Sequence, residues 1–431
     1  MLIGNSGNNF LDGDAGADIM LGGLGNDAYF VDNAGDQVIE NPGEGNDTVF
    51  STAHFRLSAD IDNLVLVGST GLQGYGNSLV NLIYGTTGDD ILDGAGGADV
   101  MIGGAGNDAY FVDNASDFVF ENPGEGADTV YSTAHFRLAA DLEYLVLQGS
   151  ADLQGYGNSQ SNAIVGNTGN NILNGEAGAD SMYGGAGNDV YFVDDAGDVV
   201  IENVNEGNDT VYASIDYGLT ANVDNLILQG SANLQAYGNN GVNALFGNSG
   251  NNILNGEGGA DHMFGGAGND VYVVDNVGDL VVEAVGAGND TVYASVNYAL
   301  TANVDNLILQ EGSAVQATGN SGVNAIFGNS GNNTLDGGGG ADVLIGGAGN
   351  DTFVFNVGQA NGDTIIDFAG NGAGAGDTLS FVGFGTAAQG ATFTQIGVSN
   401  QWTIHSGLGG PDEIITLSNG ASVDPNDFLF S

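Results

Sequence analysis

Five aspartates, Asp27, Asp108, Asp189, Asp270 and Asp351, recur at a constant interval of 81 residues. Each closes a hexapeptide that is half glycine: GGLGND at 22–27, and GGAGND at 103–108, 184–189, 265–270 and 346–351. A turn so poor in side chains can do chemistry mainly through its backbone. Glycine supplies the positive φ that a tight turn needs, and with no Cβ in the way the carbonyl oxygens can bend toward one point. The closing Asp adds a carboxylate. Neutral carbonyls plus a charged carboxylate make a ligand set for a hard cation, which takes about six to eight oxygens. One turn supplies too few, so an ion would have to sit between two of them.

What must position these turns is a shorter period of nine. From residue 76 the chain divides as GNSLVNLIY, GTTGDDILD, GAGGADVMI and GGAGNDAYF. Glycine opens each unit, Asn81, Asp90, Asp99 and Asp108 stand sixth, and Ile83, Leu92, Met101 and Tyr110 stand eighth. Period nine is neither helical nor a plain alternating strand. It fits six turn residues followed by three strand residues, with the eighth residue pointing inward. A strand that short cannot stand alone, but stacking many in parallel builds a continuous sheet and a core. The expected fold is therefore all-β, a parallel β-roll or β-solenoid of nonapeptide units. Two units complete one coil, so turns on the same edge lie eighteen residues apart, about two nine-residue periods. Nine units per block would make four and a half coils, and the Asp27 series would alternate between the two edges. The longer step from Asp117 to Asp128 leaves open a wider coil that restores even parity.

The pattern G-G-x-G-x-D-x-U-x resembles the RTX, or haemolysin-type, calcium-binding nonapeptide, and the GGAGND copies match it residue for residue. The resemblance runs over nearly the whole chain and implies a parallel β-roll with several Ca2+ ions between adjacent turns. Its best-formed pair joins GTTGDD to GGAGND, that is Asp90 to Asp108. Carbonyl oxygens are expected from the turn glycines Gly85, Gly103, Gly106, Gly184, Gly187, Gly265, Gly268, Gly346 and Gly349. Elsewhere the place of Asp90 is taken by Asn9, Asn171, Asn252 or Asn333, which offer an oxygen without charge and predict weaker sites. The middle-unit acids Asp18, Asp99, Asp180, Asp261 and Asp342 belong to the opposite edge. Their following turns, such as VDNASD ending at Asp117, lack the glycines, which makes theirs the least complete sites.

Composition agrees with bound cations. Against 54 acidic residues stand 2 basic ones, Arg56 and Arg137, for a formal charge of −52. Such a chain repels nucleic acid and anionic membranes alike, and a compact fold would repel itself unless cations neutralised it. Cysteine is absent, so no disulfide can hold the fold outside a cell, and metal is the substitute. A hydrophobic content of 42% argues against a flexible glycine-rich linker. No stretch approaches the apolar length of a membrane span, and MLIGNSGNNF does not read as a signal peptide. A phosphate-binding loop would need lysine, and neither GxSxG nor HExxH occurs. His54, His135, His262 and His405 share no catalytic surroundings, so no catalytic residue is assigned and the chain is not read as an enzyme.

After Asp351 the nine-residue register fades into GDTIIDF, GDTLSF, QWTIHSG and DEIITLSNG. Residues 1–351 are thus read as the calcium-binding β-roll, and 352–431 as ordinary strands capping its open end. The C-terminal region resembles that of serralysin-type proteases and other type I secreted proteins, which implies that NDFLFS ends a signal for the type I secretion channel. The start inside a repeat leaves two expectations: an upstream domain, or self-association through the uncapped N-terminal end. The chain is read as a secreted structural or adhesive repeat protein of an extracellular matrix, surface layer or filament. The alternative is the C-terminal module of a larger exported protease, lipase or epimerase. An ice- or carbohydrate-binding solenoid would want threonines aligned along one face, and none are seen.

Overall fold

In a computed structural model, which describes residues 1–312, 315–370 and 374–431, the chain is built almost wholly from strands of two to five residues. It divides into two compact bodies, Met1–Tyr212 and Ala213–Ser431. The fold is the parallel β-solenoid that period nine predicts.

In the first body, successive strands go alternately to one sheet and to the sheet facing it. Phe10–Asp12, Ala28–Val31, Thr48–Ser51, Asn63–Leu66, Leu82–Tyr84, Val100–Ile102 and Phe118–Phe120 make a seven-stranded sheet. The intervening strands, from Phe55–Arg56 through Ile91–Asp93 and Ala109–Val112 to Val199–Ile201, make a nine-stranded one. Pairing is parallel and in the predicted register: Ile83 lies beside Met101, and Leu92 beside Tyr110. All four point inward and are fully buried. The sixth residues of the units, Asn81, Asp90, Asp99 and Asp108, are buried as well. An apolar core and a line of polar groups therefore run side by side along the stack.

Counting strands settles the parity of the block. Ala109–Val112 is the ninth strand after Ala28–Val31, and Val190–Val193 is the ninth after that. Asp108 precedes a strand of the nine-stranded sheet, whereas Asp27 precedes a strand of the seven-stranded sheet. The longer step does widen a coil, since Ala109 pairs with Thr129, but the next is narrower, Thr129 pairing with Tyr144. The strand count stays odd, and successive copies alternate between edges.

The second body repeats the arrangement. Val271–Val274, after Asp270, belongs to a twelve-stranded sheet, and Thr352–Asn356, after Asp351, to a six-stranded one. Beyond residue 352 the strands lengthen and the pairing changes. Ile365 still pairs in parallel with Leu417, but Thr392–Gln395, Gln401–His405 and Glu413–Leu417 run antiparallel. Their inward side is aromatic: Phe393 stacks on Trp402 at 4.9 Å and packs against Phe381.

Candidate metal centres

Two glycines of the turn are dictated by its backbone. Gly104 and Gly106 have φ of 93° and 130°, a region L-residues avoid. Gly103 is needed for space, because a Cβ there would overlap both Asp108 Oδ2 and the Tyr110 hydroxyl. At Gly85 a Cβ would overlap the Gly103 carbonyl and crowd Asp90 Oδ2. The turns thus form a cradle in which carbonyl and carboxylate oxygens approach glycine Cα atoms closely.

Along each edge the carboxylates form a ladder. Asp108 Oδ1 accepts the backbone N–H of Asp90 at 2.6 Å, one coil back. Asp128 Oδ1 accepts that of Asp108 at 2.7 Å, and Glu143 Oε2 that of Asp128 at 2.8 Å. The same relation joins Asp27 to Asn9, Asp189 to Asn171, Asp270 to Asn252 and Asp351 to Asn333. The opposite edge has its own ladder. Asp99 accepts from Asn81 and donates its N–H to Asp117, and Asp18 donates to Asp36, Asp180 to Asp198, Asp261 to Asp279 and Asp342 to Asp363. The middle-unit acids therefore have partners even where the following turn lacks glycine, because the Asp of VDNASD and its copies takes the same place.

Asp90 uses both oxygens, Oδ1 accepting the N–H of Leu72 and Oδ2 that of Thr86, and Asp117 likewise uses its second oxygen for the N–H of Asn114. In other aspartates one oxygen is left over. Asp27, Asp99, Asp108, Asp180, Asp189, Asp261, Asp270, Asp342 and Asp351 each bury an Oδ2 that has no hydrogen-bond partner among the described residues. A buried carboxylate oxygen without a donor is costly, and a cation relieves that cost. The asparagines differ. Asn171 Oδ1 accepts the N–H of Asn167 at 2.7 Å, and its Nδ2 donates to Asn167 Oδ1 at 3.1 Å. Asn81 and Asn162 use Nδ2 to reach carbonyls of the preceding coil. An amide carries its own donors and is satisfied without charge, whereas Asp90, in the same place as Asn171, is satisfied by the donors of Leu72 and Thr86 while keeping its charge.

The structure also gathers residues that the nonapeptide did not flag. Asp108, Glu121 and Asp128, all buried, bring ligand oxygens within 4.8 Å of one another. So do Asp27, Glu40 and Asp47; Asp189, Glu202 and Asp209; and Asp270, Glu283 and Asp290. Tyr110 donates its hydroxyl to Glu121 Oε1, and Tyr29, Tyr191 and Tyr272 do the same to Glu40, Glu202 and Glu283. Burial, reinforced by the charges of its neighbours, pushes Glu121 up to about 8 and Asp108 up to about 7. Glu202 rises to about 8 and Glu283 to about 7, burial again first. Carboxylates so placed hold protons near neutrality unless a cation replaces them. The signal was present in the sequence, since Glu and Asp recur 13 and 20 residues after the closing Asp in four blocks. It falls where the nine-residue step stretches to eleven, as from Asp117 to Asp128, so the period does not expose it.

All of these donors are oxygens and many are charged, which suits calcium and disfavours soft metals. The profile of the RTX calcium-binding nonapeptide repeat matches residues 1–29, 75–110, 156–191, 237–272 and 318–353. The chain carries RTX calcium-binding repeats. Two curated relatives, both from Rhizobium meliloti (strain 1021), share part of it. The endo-1,3-1,4-beta-glycanase ExsH is 38% identical over 88 residues, 20% of this chain and 19% of that protein. The endo-1,3-1,4-beta-glycanase EglC is 37% identical over 86 residues, 20% of this chain and 18% of that protein. The RTX chain thus spans under a fifth of the length of either relative. The extracellular lipase LipA from Serratia marcescens is 13% identical, covering 77% of this chain and 67% of that one at a TM-score of 0.18, too low to relate the two architectures.

His54, His135 and His405 have partners of their own, whereas His262 directly follows Asp261 and acts on its charge. His54 and His135 accept backbone N–H groups of Gln73 and Gln154 through Nδ1, and His405 pairs with Asp412 on an exposed surface. Among the described residues, no helix is long and apolar enough to cross a membrane.

Proposed function

We propose that the chain is a secreted structural or adhesive repeat protein whose solenoid assembles when calcium fills its turns. The observation that carries this reading is the recurrence of buried, donorless Asp oxygens beside glycine cradles in all five blocks. Asp27, Asp108, Asp189, Asp270 and Asp351 serve as principal ligands, with Asp90 and the glycine carbonyls of the facing turns. The ion supplies the positive charge that lets these carboxylates be buried ionised, so its binding free energy becomes folding free energy. Extracellular calcium modules bind at about 10⁻⁴–10⁻³ M. The chain would thus stay unfolded in low-calcium cytosol, cross a secretion channel as a thread and fold outside, with residues 352–431 supplying the cap and the export signal.

A second reading makes the same solenoid a non-catalytic module of a larger exported enzyme. The partial matches to two glycanases favour it, and fusion of the solenoid to a catalytic domain in its natural gene would decide for it. Circular dichroism tests what the two readings share. In excess chelator the chain should show little β structure, and calcium should restore it cooperatively, with magnesium a poor substitute. Full β structure in excess chelator would overturn the calcium-folding reading.

A further inference from the structure

We propose that Glu40, Glu121, Glu202 and Glu283 are direct calcium ligands, and that each completes a tight site with the closing Asp and with the Asp 20 residues beyond it. The proposal rests on the calcium reading above and adds to it a second kind of centre. That centre is built partly from a segment outside the nonapeptide, and there are four copies rather than one per glycine turn.

Two independent observations point to an ion at this place. Glu121 is 3% exposed, and its Oε2 has no hydrogen-bond partner among the described residues, although Oε1 takes the Tyr110 hydroxyl. Asp108 Oδ2, beside it, is in the same condition. Asp108, Glu121 and Asp128 each bring a carboxylate oxygen within 4.8 Å of the others, and a divalent ion placed among them satisfies the unpartnered charge.

The second observation comes from the fifth block, where the repeat lapses. Three residues are inserted before Asp363, which takes the place of Asp117, so the residue matching Glu121 in the strand register is Asp367, and the residue matching Tyr110 is Phe353. A carboxylate therefore keeps its place beside the turn across the insertion. Asp367 accepts the N–H groups of Gly346 and Gly347 at 2.9 and 2.8 Å, while Glu40 accepts that of the equivalent Gly23 at 3.3 Å. The carboxylate is thus kept in this register although the insertion and the loss of the tyrosine alter its surroundings. The tyrosine, by contrast, is absent where the glutamate is shortened to Asp, which marks it as a positioning residue that holds the longer carboxylate.

Glu121→Gln tests this, because the amide keeps an acceptor for Tyr110 and loses the charge. Full-length chain is folded in calcium and desalted, and the calcium retained per chain is measured by plasma emission. Glu121→Gln should retain one ion fewer than the parent, and the variant with all four glutamates changed should retain four fewer. Tyr110→Phe should retain the parental number. Equal retention by the parent and by a folded Glu121→Gln chain overturns the proposal while leaving the calcium reading intact. A folded parent that retains no calcium overturns both. If the fourfold variant does not fold, the four single variants carry the test, since each leaves the other blocks unchanged.

Discussion

Asp108 accepts the backbone N–H of Asp90 across one coil at 2.6 Å, and its second oxygen is buried with no donor. That half-satisfied state sets the properties of the edge. Backbone hydrogen bonds fix the spacing of the carboxylates, and the remaining oxygens create a demand for positive charge that the chain, with two basic residues, cannot meet.

The charge at paired positions should rank the sites. Replacing Asp90 and Asp108 together by Ala removes two carboxylates, whereas replacing Asn171 and Asp189 removes one. The first double variant should raise the calcium midpoint by about tenfold, or ~1.4 kcal/mol, and the second by less. Titrations followed by circular dichroism measure both. Equal shifts would mean that the Asp90 charge contributes nothing.

Stability without calcium should fall as pH rises. Burial lifts Asp99 to about 6, Asp108 to about 7 and Glu121 to about 8, against about 4 for unfolded carboxylates. Between those values the compact chain binds more protons than the unfolded one. Its stability is therefore complete below about pH 4 and is lost as pH climbs through the raised values. In chelator, β content should be higher near pH 5 than near pH 8. Calcium affinity should move the other way, rising with pH over the same window, because the ion displaces the protons. A chelated chain whose β content is independent of pH would count against buried, proton-holding carboxylates.

Glycines of similar backbone conformation should differ in cost. Gly106 has φ 130° and a Cβ there would overlap the Gly88 backbone, whereas Gly124 has φ 81° and open space around it. Gly124→Ala should lose about 1–2 kcal/mol from the left-handed conformation alone. Gly106→Ala should lose clearly more, since two turns must separate. Urea unfolding in saturating calcium compares them, and equal losses would show that turn-to-turn contact is unimportant.

Trp402, the sole tryptophan, is 9% exposed and packs on Phe393. Its sheet continues from the solenoid through the pairing of Leu344 with Ile365 and of Ile365 with Leu417. Its fluorescence should therefore shift to shorter wavelength at the same calcium midpoint as the gain of β structure. Deleting residues 352–431 should slow folding of the remainder. A Trp402 signal already native-like in chelator would mean that the C-terminal strands fold by themselves.

The sequence alone determined the coil. Gly103, Asp108 and Tyr110 carry their roles in their places within nine residues, because turn geometry, carboxylate chemistry and inward packing are all local. It left the parity of the block open, and the strand count of the structure decided that successive copies alternate between edges. What only the tertiary structure decided is which carboxylates meet. Glu121 and Asp128 lie where the nine-residue step stretches to eleven, from Asp117 to Asp128, and reach Asp108 because the wide coil that pairs Ala109 with Thr129 returns that segment to the same edge. Asp367 takes the equivalent place in the fifth block after a three-residue insertion, which only the strand register reveals. Periodicity specifies neighbours one coil apart, but convergence across irregular coils depends on lengths and angles that only the assembled stack fixes.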